Sequence, residues 1–191
     1  MGSDDFVQGY LISVVKEFQY YKLLGEKTIE QLNDDELFWQ YNPESNSIAI
    51  IVKHLWGNMR SRWTDFLTTD GEKDFRNRES EFLADINSRK ELLEKWEEGW
   101  AILFKALDSI NTDKSNFEQL IYIRNQGHTI TEAINRQLAH YSYHIGQMVY
   151  IGRMIRGKGW KSLSIPKGKS AMYNADKFAE SKHRKHFTDE L

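Results

Sequence analysis

Four stretches in which apolar residues recur every three to four positions constrain this chain more than any other feature. The first runs from 4 to 32 and sets Val7, Tyr10, Val14, Phe18 and Tyr21 on one stripe, with Asp4 and Asp5 complementing the helix dipole at its start. A break follows at Pro43 and the polar residues 44–47, where Ser45 or Ser47 is placed to cap the next helix. The second stretch, 48–67, repeats Ile48, Ile51, Val52, Leu55, Met59 and Phe66 at helical spacing. The third, 88–110, opens on a Ser88-x-x-Glu91 capping box and continues through Leu92, Trp96, Trp100, Leu103 and Leu107. The fourth, 130–156, opens on a second box, Thr129-x-x-Glu132, and stops where Gly157 can adopt a left-handed terminus. Four such segments predict an all-α chain, a four-helix bundle over 4–156 followed by a basic tail over 157–191, in one domain spanning 1–191.

The intervening sequence is less regular. "TTDGEKDFRNRES" (68–80) reads as an exposed loop, and "FEQLIYIRNQGHTI" alternates in the manner of a short hairpin around Asn125 and Gly127. The tail has an excess of lysine and arginine over acids and reads as irregular.

Charge and composition exclude several partners. A formal net charge of −2 favours neither a nucleic-acid backbone nor an anionic membrane. No apolar run is long enough to span a bilayer, and the opening "MGSDDFVQGY" lacks the basic and apolar regions of an export signal. The absence of cysteine removes disulfides, thiolate metal sites and a cysteine nucleophile, which agrees with the expectation of a cytoplasmic protein.

The fourth segment carries an anomaly. Helical spacing sets Ala133, Gln137, His140, His144, Gln147 and Ile151 along one band, so two imidazoles one turn apart occupy the face that should be buried. A buried imidazole needs a hydrogen-bond partner or a metal, because an unpaired polar group in an interior costs about 1–3 kcal/mol. Histidines at i and i+4 are the geometry by which one helix gives two ligands to one ion, although core histidines with ordinary partners share that spacing. Of the remaining histidines, His128 falls before a helix and His183 and His186 fall in the charged tail. Only His54 is also set within an apolar helix, and no carboxylate is adjacent in sequence to satisfy any of the three. Three neutral imidazoles would leave a divalent ion its full charge and an open position, the composition of a catalytic site. Asn58 and Gln147, each about one turn from a ligand, are candidates to hydrogen-bond ligands or substrate. Tyr141, Tyr143 and most tryptophans read as core, and Gly146 as a site of close helix packing.

A histidine in the second helix followed by "HYSYH" on the last resembles the DinB/YfiT-like superfamily. The strings "SNSIAIIVKHLWGNMRSRWTDFLTTDGEK", "INRQLAHYSYHIGQMVYIGR" and "KSLSIPKGKS" resemble an uncharacterised branch of it. The resemblance implies a four-helix bundle, often a homodimer, with zinc or nickel held by three histidines, here His54, His140 and His144. Relatives of that superfamily include transferases that use a low-molecular-weight thiol as cosubstrate. A metal-dependent hydrolase on the same site, or a non-catalytic dimer binding metal or a small ligand, are the competing expectations. With no cysteine in the chain, thiolate chemistry would require the thiol to arrive with a cosubstrate. In a loop, Lys167 and Lys169 of "SIPKGKS" would suit an anionic group of such a thiol, or simply be solvated.

Overall fold

The computed structural model describes residues 3–110 and 117–190. It is predominantly helical, with one small hairpin, so the all-α expectation holds. The four long helices are α1 (Ser3–Glu30), α3 (Ile48–Trp63), α4 (Arg89–Asp108) and α5 (Ile130–Arg156), joined by a short α2 (Asp34–Phe38) and followed by α6 (Ser170–Ala179). α1 packs on α5 and α3 on α4, while contacts between α3 and α5 and between α1 and α4 complete the packing around one core. That core contains Phe18 from α1, Leu55 and Met59 from α3, Trp96 and Trp100 from α4, and Tyr141, Ile145 and Met148 from α5.

Helix starts follow the capping chemistry. Ser47 caps α3, its hydroxyl accepting from the Ile50 amide, and the Thr129–Glu132 box closes reciprocally at the start of α5. The Ser88 box is only half made: Ser88 accepts from Glu91, but the Glu91 carboxylate turns to the Asn87 amide instead. The short α2 was not expected. It has its own box, in which Asn33 accepts from Glu36 and the Glu36 carboxylate accepts from Asn33.

Helix ends differ from expectation by a few residues. α1 stops at Glu30 rather than 32, and α4 at Asp108 rather than 110. α3 stops at Trp63 rather than 67, because Thr64 goes extended and Asp65 takes φ 47°, turning Phe66 back into the core. At the end of α5, Gly157 has φ 53° and its amide reaches the Arg153 carbonyl, a conformation that L side chains resist.

The hairpin forms as β1 (Leu120–Ile123) against β2 (Gln126–Thr129), antiparallel. Its turn lies at Arg124 and Asn125, both with positive φ as a two-residue hairpin turn requires, while Gly127 sits inside β2. Asp70 holds this turn by accepting from the Arg124 and Asn125 amides. The loop over 68–80 is therefore not simply exposed. Gly71 is buried, Ser61 and Arg62 donate to its carbonyl, and the Arg76 side chain is only 3% exposed.

Close helix contact depends on glycines other than the expected one. A Cβ at Gly25 would lie 2.3 Å from the Trp96 ring, whereas at Gly146 nothing lies within 4 Å. The tail is not wholly irregular, since α6 forms within it. Among the described residues no helix is long and apolar enough to cross a membrane.

Candidate metal centre

His54 lies on α3, a helix buried on nearly every side, and His140 and His144 lie on the part of α5 that crosses it. His140 Nε2 is 3.2 Å from His54 Nε2 and 3.1 Å from His144 Nε2. One ligand atom from each of the three falls within 4.8 Å of the others. Nitrogens about 2.0–2.1 Å from a tetrahedral zinc stand roughly 3.3–3.4 Å apart, so the spacing suits a single ion.

The protonation pattern points the same way. The Glu81 carboxylate accepts from His54 Nδ1 at 2.8 Å, and the Gln147 carbonyl Oε1 accepts from His144 Nδ1 at 2.9 Å. Both rings thus carry their proton on Nδ1 and present an Nε2 lone pair inward. His140 Nε2 can donate to only one of those lone pairs, so at least one acceptor in the cluster needs something other than a neighbouring imidazole. A cation satisfies all three together.

Burial disfavours the charged form of the two α5 imidazoles. It is the leading cause that pushes the His140 imidazole down to about 3, reinforced by His144, His54, Arg76 and Arg62. His144 is also lowered, by burial first and by His54, against the opposing hydrogen bond to Gln147. Neutral imidazole is the form that binds metal. His54 is buried, whereas His140 and His144 are partly exposed, so the cluster is reachable from the α5 side.

Glu81 is the carboxylate that sequence spacing did not place here. It lies in a one-turn helix at Glu79–Phe82, after the loop, with a side chain 5% exposed. Burial alone would raise its pKa, but hydrogen bonds from His54 and Arg76, with the Arg76 charge, outweigh that and hold it below the ordinary range. Arg76 grips it twice, Nε to Oε1 at 2.7 Å and Nη2 to Oε2 at 3.1 Å, and in turn faces Glu72, which also pairs with Arg62. Phe82 stacks on the His54 ring with centroids 5.0 Å apart. Gly57, three residues after His54, makes room: a Cβ there would meet Glu81 Oε1 at 2.5 Å. The carboxylate–histidine pair thus fixes ring orientation and raises ligand basicity, as outer hydrogen bonds do around metal sites.

Of the two amides proposed to assist, Gln147 hydrogen-bonds His144, whereas the Asn58 hydrogen bond goes to Tyr141. Asn58 Oδ1 instead accepts from Tyr141 at 3.0 Å, and the Tyr141 oxygen accepts from Trp63 Nε1 at 3.0 Å. Tyr141 is fully buried, as expected, but Tyr143 is 63% exposed and no part of the core. His128 of β2 meets Arg136 of α5, and His186 meets Ser13 on α1. Lys167 and Lys169 are exposed, beyond the end of α5.

A family model described as "Protein of unknown function (DUF1572)" matches residues 5–169, a span that contains the three histidines and Glu81 and ends before α6. No curated protein and no solved structure matches the chain.

Proposed function

The chain belongs to this family of unknown function, and from its site we propose a divalent-metal-dependent enzyme acting on a small molecule. His54, His140 and His144 would hold the ion, with zinc or nickel the metals suggested by the resemblance to DinB/YfiT-like proteins. We read the four long helices as that superfamily's four-helix bundle and expect a homodimer. The observation that carries the reading is the convergence of three Nε2 atoms, two of them stripped of their proton by Glu81 and Gln147.

A bound divalent ion lowers the pKa of a thiol or water in its free position. The chain's own residues do the rest: Glu81 and Gln147 orient two imidazoles, Arg76 balances the Glu81 charge, and Phe82 covers one face of His54. Of the two reactions we favour a transferase using a low-molecular-weight thiol, because the resemblance suggests it; a hydrolase would use the same site. Glu81 has both oxygens engaged by His54 and Arg76 and its pKa held down, so its role in either reaction is to hold the His54 ring rather than to act as a base. A bound ion would supply the acidity for either nucleophile, thiol or water, so neither reaction would call on a base from the chain.

The test is a panel of low-molecular-weight thiols with model electrophiles, assayed with zinc- and nickel-loaded protein and with His144→Ala. Thiol consumption that needs both metal and His144 supports the transferase. Ester or amide hydrolysis without any thiol supports the hydrolase instead.

A further inference from the structure

We propose that an aromatic groove leading away from the histidine cluster binds the electrophilic substrate, an aromatic molecule without negative charge. The proposal rests on the metal-dependent reading above. Trp39, Tyr41, Tyr150 and Met154 wall the groove, and Ile51 and Gln147 form its inner end. Ile51 precedes His54 and Gln147 follows His144 by three residues each, so both helices bring the groove to within about one 5.4 Å turn of the site. It encloses about 210 Å³ and continues across Trp39, Tyr41 and Met154 into an outer recess of about 530 Å³, dimensions suited to a small ligand.

The walls specify the ligand's body. Trp39 and Tyr41 meet edge to face with centroids 6.3 Å apart, and Tyr41 and Tyr150 are 75% and 66% exposed. Rings and a thioether presented side by side favour a flat aromatic group through stacking and sulfur contact. The polar groups specify its charge. Gln147 Oε1 is committed to His144, which turns its Nε2 donor outward, and no acceptor meets that donor among the described residues. It suits a neutral acceptor such as a carbonyl close to the site. At the outer end Asp35 and Glu36 line the recess. Glu36 faces Arg156, but Asp35 meets no cation among the described residues, so this end repels anions. A carboxylate-bearing thiol is thereby excluded from the groove, which leaves it to the electrophile.

Fluorescence titration with two near-identical dyes tests this: neutral N-phenyl-1-naphthylamine and its anionic relative 8-anilino-1-naphthalenesulfonate. The neutral dye should bind at least tenfold more tightly than the sulfonate. Trp39→Ala and Tyr150→Ser, both at exposed positions, should each weaken the neutral dye about tenfold. Phe178→Ala, on the 86% exposed Phe178 of α6, should leave it unchanged. Zinc titrations of the groove variants should match the wild type, and His144→Ala should keep the dye while losing zinc. If zinc fails to bind while the dye obeys this pattern, the metal reading falls and the groove stands. The groove assignment is overturned if zinc binds normally but the dye ignores Trp39 and Tyr150, or if the sulfonate binds as well as the neutral dye. It is overturned too if a dimer seen by light scattering dissociates in Trp39→Ala and Tyr150→Ser, which would place a second copy over the groove.

Discussion

Glu81 and His54, 27 residues apart in sequence, meet as a buried carboxylate accepting from an imidazole Nδ1 at 2.8 Å. That pair decides which nitrogen of His54 is free to face the cluster. Glu81→Gln keeps the size but loses the charge that also anchors Arg76. Zinc affinity measured by competition titration should fall about 10–100-fold. Arg76 keeps Glu72 but loses one of its two carboxylates, so denaturant unfolding should show a loss of about 1–3 kcal/mol. An unchanged affinity would show that Glu81 serves packing alone.

Gly57→Ala tests the same contact from the opposite helix. Alanine is the better helix former by about 1 kcal/mol, so an isolated helix would gain. Here the added Cβ would meet Glu81 Oε1 at 2.5 Å and must displace the carboxylate. Zinc affinity should fall with that of Glu81→Gln, and a double variant should lose little more than either single one.

How much of this was legible in the sequence differs from group to group. The three histidines stand out because they interrupt apolar stripes, and periodicity alone places them on facing helices. Glu81 does not, because it follows a loop of ordinary solvent-like composition, and loop conformation rather than a repeat brings it to α3. Arg76 was hidden in the same loop, "TTDGEKDFRNRES", where nothing local distinguishes a buried guanidinium from a solvated one. Gly57 was silent until its neighbour was known. The helix ends at 30 and 63 moved because backbone turns such as that at Asp65 act over single residues, below the resolution of a hydrophobic repeat. Trp39, at an apolar position in the sequence, follows the short α2 in extended backbone, and that leaves its ring partly exposed.

Tyr141→Phe probes the chain from Trp63 through Tyr141 to Asn58. Removing the hydroxyl leaves the Trp63 Nε1 donor and the Asn58 Oδ1 acceptor without their shared partner in a buried setting. Each such group costs about 1–3 kcal/mol, so chemical denaturation should show a clear loss of stability. Zinc affinity should change little, since this chain hydrogen-bonds none of the three histidines among the described residues.

The pH response of metal-free protein follows from His140. Its folded pKa of about 3 lies below the ordinary 6.5. As pH falls from 6.5 towards 3 the unfolded chain takes up a proton that the folded chain refuses, so stability is lost progressively across that window and is flat above it. Melting temperatures of chelator-treated protein should fall between pH 7 and pH 5, and His140→Gln should reduce the slope. A melting temperature that holds steady or rises on acidification contradicts a His140 imidazole that burial keeps neutral.

The metal itself is the most direct measurement. Chelator-treated wild type, dialysed and titrated with zinc and with nickel by calorimetry at neutral pH, should bind one ion per chain. Binding should raise the melting temperature, since the folded chain alone assembles the site. His144→Ala should weaken binding by at least the 10–100-fold typical of outer-shell changes, and His183→Ala in the tail should not. Failure of the wild type to bind either ion, or full affinity in His144→Ala, would contradict a metal centre at His54, His140 and His144.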